Sequence, residues 1–437
     1  MSDRKQSTIA IKGSVFHFVE NPFKTDEERS FQYYENGMLV IKEGKVHAVG
    51  AFAEESIRLE PGIQVIDHSG HLIMPGFIDT HLHYPQTDII ASYGKQLLEW
   101  LQTYTFPREG MFKDAEYAES VADFFFDELL RNGTTTAQVM ATVHKHSAEI
   151  FFRKAQERNL RMISGKVMMD RNAPDYLLDS PETGFEESLE LIETWHKKDR
   201  LLYAVSPRFA VTSTGEQLKK SAELLNSRPD LYFQTHLSEN RAEVALIAEL
   251  FPWSKDYLDV YDKFGLINER ATFAHSIHLE DKNYQRLSEL KAAVSFCPTS
   301  NLFIGSGLFD LEKITMARIK LGMGTDVGGG TSFSMLKTLG DAYKVLQLKG
   351  QKLSALQAFY LATLGGAGSL CLEDKIGNFL PGKEADFLVM DFNTTPLMQR
   401  RMAEASSLQE KLFIAMILGD DRNIKATYIM GEKVHGD

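Results

Sequence analysis

The segment Ile73-Met-Pro-Gly-Phe-Ile-Asp-Thr-His-Leu-His83 is an apolar run that ends in two histidines separated by one leucine. A short apolar run bounded by turn residues is typical of a buried β-strand. Side chains two positions apart on a strand point to the same face, so His81 and His83 project together from its end. The segment therefore predicts a strand that delivers two imidazoles to one side of its carboxyl end.

Similar apolar runs recur through the middle of the chain and alternate with amphipathic, helix-like segments. The eight runs end near His83, Met140, Asp170, Ala210, Glu239, Leu279, Asn301 and Asp326. The helix-like segments include 115–132, 184–198, 215–227 and 281–290. This alternation predicts an α/β fold, a TIM-like (β/α)₈ barrel rather than a doubly wound sheet. In such a barrel the reactive side chains lie at the carboxyl ends of the strands.

Both ends of the chain have the pattern of β-structure, in contrast to the middle. Short runs that alternate or are apolar between turn residues occupy 9–19, 37–50, 64–74, 377–391 and 426–434. These β segments are compatible with two unrelated small β structures, one at each end of the chain, or with one small domain built from both termini. We expect the second arrangement: a small β-sandwich domain of residues 1–71 and 366–437, with the barrel of residues 72–365 inserted and a helical tail in the C-terminal part.

The composition is that of an ordinary globular protein with an acidic balance. The chain has 437 residues, of which 43% are hydrophobic and 25% charged, and this excludes disorder, collagen and coiled coil as the main architecture. Lysine and arginine number 48 against 60 aspartates and glutamates, for a formal net charge of −12. A protein that binds a phosphate backbone needs a positive surface, so no nucleic-acid partner is expected.

Cysteine content and apolar run length bear on the cellular compartment. Cys297 and Cys371 are the two cysteines, so no disulfide framework is expected and a reducing compartment fits. The chain lacks the Pro-Cys-x-x-Cys segment of the cysteine-ligated zinc deaminases of nucleobases. Residues 1–8 are polar, and no apolar run approaches the roughly 18 residues that cross a bilayer. We therefore expect a cytoplasmic protein with no membrane partner.

Residue types that bind metal ions follow several of the predicted barrel strands. The fifth run ends in His236 and Glu239, the sixth carries His275, and the eighth ends in Asp326. With the histidine pair of the first run, these side chains should meet at the carboxyl end of the barrel. Three histidines and one carboxylate with an open coordination position are the ligands that catalytic zinc or ferrous iron accepts.

Other histidines and one lysine have a structural interpretation. The pair His144 and His146 follows a strand run but lies in a polar segment beyond its end, so we expect it on the solvated surface. His68 and His71 lie in a turn between β segments, where a structural role is expected. Lys166 lies near the middle of the third run and is also predicted to be structural.

Several motifs, taken together, resemble the amidohydrolase superfamily. They are Pro75-Gly-Phe-Ile-Asp-Thr-His-Leu-His83, His236, His275, Gly324-Thr-Asp326 and Leu380-Pro-Gly-Lys-Glu-Ala-Asp386, and they cover nearly the whole chain. The resemblance implies that one metal ion per subunit, zinc or alternatively ferrous iron, is bound by His81, His83, His236 and Asp326. A single ion is expected because the fourth run, 203–210, lacks the lysine that binuclear members carry at its end.

Shorter elements resemble the guanine deaminases within that superfamily. They are His83-Tyr-Pro-Gln86, Arg208-Phe209, His236-Leu-Ser-Glu239, Lys166-Val-Met-Met-Asp-Arg-Asn172 and Ser295-Phe-Cys-Pro-Thr-Ser-Asn301. The resemblance implies hydrolytic deamination of guanine to xanthine and ammonia, in which metal-bound hydroxide attacks C2. It assigns the proton shuttle to Glu239, orientation of the hydroxide to His275, and proton acceptance as well as metal binding to Asp326. It also implies a homodimer.

The resemblance places the substrate contacts at His83, Tyr84, Pro85, Gln86, Arg208, Phe209, His236 and Glu239. An amide both donates and accepts, and a guanidinium favours a carbonyl oxygen, so Gln86 and Arg208 suit the polar edge of guanine. Phe209 suits stacking on the flat ring. From the residues alone, structural roles stay open: Arg208 as a salt-bridge arginine, Gln86 as a polar loop residue and Phe209 as core.

Two alternatives to this function remain at the level of the sequence. The same metal centre serves other planar nitrogen heterocycles, such as an oxidised guanine, a pterin or a triazine. A non-catalytic barrel scaffold is the second alternative, but the four ligand positions and Glu239 are all present, which argues against it. The aromatic segment 93–106 predicts packing in the core or an interface, with a lid over the site as the alternative.

Overall fold

The computed structural model describes residues 8–94 and 96–436. Residues 1–7, Lys95 and Asp437 lie outside the described residues. The segment 1–8, predicted to be polar and without a signal-peptide core, therefore falls almost entirely outside them. The strands are β1 Thr8–Phe18, β2 Phe31–Lys42, β3 Lys45–Ala51, β4 Gln64–Pro75, β5 Phe77–His83, β6 Thr134–Met140, β7 Arg161–Gly165, β8 Val167–Met168, β9 Leu202–Pro207, β10 Tyr232–Leu237, β11 Ala271–His275, β12 Ala293–Phe296, β13 Lys320–Met323, β14 Phe387–Met390, β15 Ile424–Ile429 and β16 Glu432–His435.

Helices follow most of the barrel strands and also occur near both ends of the chain. They are α1 Phe52–Arg58, α2 Leu97–Trp100, α3 Phe106–Gly110, α4 Ala115–Arg131, α5 Lys145–Glu157, α6 Pro181–Trp195, α7 Gly215–Ser227, α8 Arg241–Leu250, α9 Tyr257–Lys263, α10 Asp281–Glu289, α11 Pro298–Phe303, α12 Leu311–Met316, α13 Met335–Leu348, α14 Ala355–Leu361, α15 Leu364–Ser369, α16 Pro396–Ala403 and α17 Leu408–Leu418. None of the helices within the described residues is long and apolar enough to cross a membrane.

The middle of the chain forms the predicted parallel barrel. Its strands are hydrogen-bonded in the order β13-β12-β11-β10-β9-β7-β6-β5, and the short β8 continues the β7 run and pairs with β9. The two ends of this order meet, because the Asp326 amide donates to the His81 carbonyl at 2.9 Å and the His83 amide donates to the Val327 carbonyl at 2.8 Å. The (β/α)₈ prediction is confirmed, and this closure brings the first and eighth strands side by side.

The helix-like segments fold as predicted because each has an apolar face and a capped start. In α4, the Asp114 carboxylate accepts from the backbone amides of Glu116 and Tyr117, which satisfies amides that lack a partner within the helix. Val121, Phe125 and other apolar residues of α4 lie on one buried face, which packs in the main core. Helix α7 matches the predicted segment 215–227 at both ends.

Both termini contribute to one small sheet, which excludes two unrelated small β structures. The strand order is β16-β15-β14-β4-β1-β2-β3, with β1 parallel to β4 and β14 antiparallel to β4. One face buries a cluster that joins Val15 of β1 to Phe387 of β14, and the other face buries Met38 against Phe52 of α1. Strand β4 continues to Pro75, so the small sheet includes residues on both sides of the predicted boundary at residue 71.

The helical part of the C-terminal segment was expected as a tail, but it lies within the segment. Helices α16 and α17 come between β14 and β15, and the last two strands of the small sheet follow them. The physical reason is burial: Leu412, Ala415 and Met416 of α17 pack in the main core, in contact with α13 and α14 of the barrel. The apolar face of α17 therefore anchors this insertion to the barrel.

A buried cluster of charges joins the barrel to the C-terminal segment. Arg161 at the start of β7 and Arg200 before β9 both form ion pairs with Glu384, and Arg200 also pairs with Asp386. All four side chains are at least 88% buried, so each charge depends on its partners for solvation. Removal of one carboxylate leaves arginine charge buried and uncompensated.

Glu384→Gln is therefore expected to lower the free energy of unfolding by about 3 kcal/mol. Urea unfolding followed by circular dichroism measures the change as a lower midpoint. Glu289→Gln is the matched control, since Glu289 forms an exposed pair with Arg286 at 3.3 Å and should cost under about 0.5 kcal/mol. Equal midpoints for the two variants would contradict the structural role of the buried cluster.

Candidate active site

The carboxyl ends of strands β5, β10 and β13 bring four predicted metal ligands together. One donor atom each from His81, His83, His236 and Asp326 lies within 4.8 Å of the others, and all four residues are buried. Nε2 of His81 and Nε2 of His83 are each 3.4 Å from Oδ1 of Asp326. The His-x-His spacing on β5 places both imidazoles on the same face, as the sequence predicted.

The ring nitrogens of these imidazoles converge, and one hydrogen bond fixes the lone pair of His236 toward the others. His236 Nδ1 donates to the Arg208 carbonyl at 2.7 Å, so its Nε2 carries a lone pair and faces Nε2 of His83 at 3.2 Å. Nε2 of His81 has no hydrogen-bond partner within the described part of the chain. Converging lone pairs repel one another unless a cation lies between them, so the donor set fits a metal ion.

The protonation states also fit a cation site. Burial lowers the pKa of His83 to about 3 and the pKa of His236 well below its ordinary value, so both imidazoles are neutral at physiological pH. Burial alone would raise the pKa of Asp326, but its contacts with His81 and His83 outweigh burial and hold that pKa well below the ordinary range. Neutral imidazoles and an ionised carboxylate are the forms that bind metals.

A buried aspartate that the sequence analysis missed supports this cluster. Asp79 of β5 accepts hydrogen bonds from the backbone amide and hydroxyl of Thr325 and from the His81 amide. It thereby ties the first strand to the segment that carries Asp326. The backbone φ of Asp326 is 51°, in the left-handed region that costs free energy for a residue other than glycine. Asp79 and the surrounding hydrogen bonds hold this conformation in place.

Glu239 and His275 lie beside the donor cluster. His275 Nδ1 donates to Oδ1 of Asn301 at 2.9 Å, which leaves Nε2 directed at Glu239 Oε2, 3.4 Å away. Ser306 donates its hydroxyl to Oε1 of Glu239 at 3.0 Å. Burial, with a further contribution from the charge of Asp326, raises the pKa of Glu239 to about 8. A carboxyl with this pKa exchanges protons near neutral pH, as a general acid–base group must.

A second carboxylate, Glu243, holds the backbone from which Glu239 projects. Its Oε2 accepts from the amides of Glu239 and Asn240 at 2.8 and 3.0 Å, and its Oε1 accepts from the Tyr257 hydroxyl at 2.7 Å. Glu243 was missed by the sequence analysis, although its place three residues after Asn240 at a helix start is the pattern of a capping box. It makes the carboxyl end of β10 rigid.

A cavity opens beside the donor cluster. It is lined by predicted site residues together with apolar residues of α2 and neighbouring loops: His83, Gln86, Leu97, Trp100, Leu101, Arg208, Phe209, His236, Glu239, His275, Ile304, Asp326 and Gly329. The predicted polar contacts Gln86 and Arg208 therefore share one cavity with Glu239 and three of the four donors. A pocket that combines seven polar or charged side chains with an apolar wall suits a small polar heterocycle.

Comparison with known proteins agrees with this geometry. The model of the amidohydrolase family matches residues 72–434. The chain belongs to the amidohydrolase family. It is 52% identical to guanine deaminase of Escherichia coli (strain K12) over 438 residues, which covers 100% of this chain and 99% of that protein.

Solved structures of other amidohydrolases extend the comparison to the fold. The structure of E. coli guanine deaminase matches with a TM-score of 0.96 at 52% identity, and the match covers 98% of this chain and 99% of that one. A guanine deaminase from C. acetobutylicum, with guanine bound in its active site, matches with a TM-score of 0.89 at 30% identity. That match covers 98% of this chain and 100% of the other.

Two of the predicted substrate contacts in this amidohydrolase do not reach the cavity. Tyr84 directs its ring into an aromatic cluster with Phe112 and Phe151, and its hydroxyl donates to the Ser147 carbonyl at 2.7 Å. Pro85 also does not line the cavity. The chain turns in a short 3-10 helix directly after His83, so successive side chains diverge and Gln86 is the one that reaches the cavity.

The aromatic segment 93–106 packs in the core and walls the cavity of the amidohydrolase site. Leu97, Trp100 and Leu101 belong to the main apolar core and line the cavity as well. A π-helical turn over Leu101–Thr105 connects α2 to α3, and such turns are frequent at functional sites. Core packing is therefore found for Leu97, Trp100, Leu101 and Phe106, whereas Tyr93 is 77% exposed.

Lys166, His68 and His144, for which structural or surface positions were predicted, do not line the cavity of the amidohydrolase site. Lys166 is fully buried and pairs with Asp179, which agrees with the predicted structural role. His68 Nε2 lies 2.9 Å from the Tyr428 hydroxyl in the small sheet, also structural. His144 was expected on the solvated surface but is half-buried at the start of α5, and burial lowers its pKa to about 4.

His81→Ala removes one of four converging donors and is expected to weaken zinc binding by at least roughly 100-fold. Competition with a chromophoric chelator measures this affinity on the purified protein, independently of activity. His68→Ala is the matched control, because His68 bonds Tyr428 in the small sheet and contributes nothing to the donor cluster. Unchanged zinc affinity in His81→Ala would exclude this cluster as the metal site.

Proposed function

We infer that this amidohydrolase catalyses the hydrolytic deamination of guanine to xanthine and ammonia. The observation that carries the inference is one cavity in which the His–Asp donor cluster, the carboxyl of Glu239 and the polar groups of Gln86 and Arg208 lie together. Proteins that share 52% and 30% identity with the chain over at least 98% of its length are guanine deaminases, and one of them has guanine bound in its active site.

We propose that His81, His83, His236 and Asp326 hold one zinc ion. Three imidazole nitrogens and one carboxylate are a donor set that zinc accepts, and ferrous iron is the alternative that the same donors accept. When bound, such an ion acts as a Lewis acid and lowers the pKa of a water molecule from 15.7 to about 7. The Nδ1 hydrogen bond of His236 to the Arg208 carbonyl keeps its Nε2 available as a ligand.

Glu239 is the proposed proton shuttle. It accepts one proton of the attacking water molecule and delivers it to the ring nitrogen next to C2. The second proton of that water, now on the hydroxyl bonded to C2, passes through the carboxylates of the site to the amine, so that the C2–N bond breaks, ammonia leaves and the C2 carbonyl of xanthine forms. Its pKa of about 8 supports this role, because the group changes protonation state near neutral pH. Asp326, besides its ligand role, accepts a proton from the water as the second carboxylate of the site.

His275 is proposed to orient the attacking water. Its Nδ1–H is held by Oδ1 of Asn301, so Nε2 is an acceptor and lies between Glu239 at 3.4 Å and Asp326 at 3.8 Å. An acceptor in this position fixes the direction of one O–H bond of the water. The φ of His275 is 66°, a left-handed conformation whose cost is consistent with a position selected for function.

The substrate is proposed to lie between the donor cluster and the polar pair Gln86 and Arg208. Arg208 donates to the C6 carbonyl oxygen, and Gln86 uses the remaining N–H and lone pair of its amide on the lactam edge. Phe209 lines the same cavity and offers an aromatic face or edge to the purine ring. Adenine carries an amine where guanine has the carbonyl, so it leaves the Arg208 donors unpaired and is rejected.

Several predictions from the sequence stand beside this proposal. The homodimer, the cytoplasmic location and the domain boundaries at residues 71 and 365 stay predictions, and the first of these rests on the family resemblance. Oxidised guanine, pterins and triazines stay as alternative substrates, because the same donor cluster serves each of them and the shape of the pocket decides between them.

Incubation of the purified, zinc-loaded protein with guanine tests the proposed function. We expect the ultraviolet spectrum to change to that of xanthine, with release of one ammonia per purine. Adenine, cytosine, 8-oxoguanine, a pterin and a triazine are assayed in parallel, and guanine should be the preferred substrate. Turnover of another heterocycle without guanine turnover would refute the assignment of the pocket but leave the metal site in place.

Glu239→Gln is expected to retain zinc and lose activity by at least roughly 100-fold, because the amide cannot shuttle a proton. Metal analysis and steady-state kinetics of the same preparation separate the two effects. Glu249→Gln serves as the control, since Glu249 is an exposed residue of α8. Near-normal turnover by Glu239→Gln would exclude Glu239 as the shuttle.

A further inference from the structure

A buried carboxylate lies directly behind the two polar residues of the pocket. Glu109, in α3, is fully buried, and both of its oxygens accept from Nη1 of Arg208 at 2.8 Å. Its Oε1 also accepts from Nε2 of Gln86 at 3.1 Å. Gln86 and Arg208 line the cavity, whereas Glu109 does not. Glu109 therefore acts on a ligand through these two neighbours.

The contacts of Glu109 fix the orientation of the Gln86 amide. An ionised carboxylate only accepts hydrogen bonds, so the atom of Gln86 that faces it must be the NH₂ group. At the other end of the amide, Oε1 accepts from the Gly328 backbone amide at 3.3 Å. One N–H and one lone pair of Gln86 remain for a ligand, in a fixed order along the cavity wall. This order matches a neutral lactam, which offers one acceptor and one donor side by side.

The ion pair also sets the charge of this end of the pocket. The Arg208 side chain is 3% exposed, and an uncompensated charge at such a depth attracts any anion that fits. Glu109 supplies the compensating charge, so the guanidinium can still donate hydrogen bonds while the pair is neutral overall. Phe106, also in α3, adds an aromatic ring 5.8 Å from the guanidinium carbon. Glu109 and Phe106 thus belong to the same short helix, α3.

Charge balance distinguishes the substrate of the proposed reaction from its product. Guanine is neutral at physiological pH, whereas xanthine, with a second carbonyl next to its ring N–H groups, is more acidic and loses a proton near neutral pH. A pocket with an unpaired arginine would retain the xanthine anion. A neutral pair binds the neutral purine and lets the anion leave.

We propose that Glu109 is a positioning residue that orders Gln86 and neutralises Arg208, and thereby makes the pocket select neutral guanine over the anion of its product. This inference rests on the proposed deamination of guanine. A purely structural ion pair would lower stability when broken but would leave the preference for ligand charge unchanged. Ligand charge is therefore the property to measure.

Glu109→Gln, compared with the wild type, tests the proposal. The KM for guanine should rise at least roughly tenfold, more than kcat falls, because a buried donor of Arg208 or Gln86 is left poorly paired. Competitive inhibition by xanthine, and its direct binding by calorimetry to the zinc-loaded protein, should tighten about tenfold as pH rises through the ionisation of xanthine. Xanthine binding with the wild-type pH dependence would overturn the proposal.

Two further variants keep the test independent of the folding of Glu109→Gln. Glu109→Gln combined with Arg208→Gln removes both charges, so the tightening of xanthine binding at high pH should disappear. Arg208→Gln alone leaves the negative charge in excess, and xanthine binding should weaken as pH rises, more than in the wild type. Xanthine binding that tightens more with rising pH in Arg208→Gln than in the double variant would overturn the proposal.

One control and one reference measurement complete the design. Glu55→Gln breaks a Glu–Arg ion pair in α1 of the small domain, where Glu55 accepts from Arg58 at 2.8 Å, and should leave the pH dependence of xanthine binding at its wild-type form. Guanine turnover by the wild type is measured first. Its absence would refute the proposed function itself, whereas wild-type turnover with unaltered charge preference in Glu109→Gln would refute the role of Glu109 alone.

Discussion

The structure depends on the burial of one carboxylate among imidazoles at the rim of a parallel barrel. Asp326 is almost fully buried, and it stays ionised because His81 and His83 lie 3.4 Å away. That proximity exists because the first and eighth strands are neighbours where the barrel closes. A charge at this depth requires compensation, which the two imidazoles supply in part and a bound cation would complete. The unpaired lone pairs that remain make the cluster a site for a cation rather than a set of core contacts.

Three further buried carboxylates lie around that cluster, and each of them fixes the position of a neighbouring part of the site. Asp79 joins the first strand to the segment of Asp326, Glu243 fixes the backbone that presents Glu239, and Glu109 orders Gln86 and Arg208. Each carboxylate accepts hydrogen bonds from several donors, which offsets the cost of its burial. The groups proposed to contact the substrate are thereby rigid before a ligand arrives, and rigid groups lose less entropy on binding.

The ligand cluster was predictable because strand geometry acts locally. Side chains two apart on a strand share a face, and the carboxyl ends of barrel strands converge, so the apolar runs placed the histidines and carboxylates of several strand ends at one rim. The family resemblance then singled out His81, His83, His236 and Asp326 as the ligands, and these four lie together. Tyr84 was not predictable in this way, since the chain leaves β5 in a tight turn whose side-chain directions depend on the neighbouring aromatic cluster. The α17 insertion was misplaced for a similar reason: its core contacts lie on distant helices.

The amino-acid sequence by itself determined the barrel, the β-structure of both termini and the chemical type of the donor cluster, because periodicity and strand-end position are local properties. Only the tertiary structure decided which residues support that cluster. Glu109 comes from a short helix about 100 residues before Arg208, and no local pattern marks it as a partner of that residue. Long-range pairing of buried charges is set by how the barrel closes and how its loops pack over the rim, and these are properties of the whole fold.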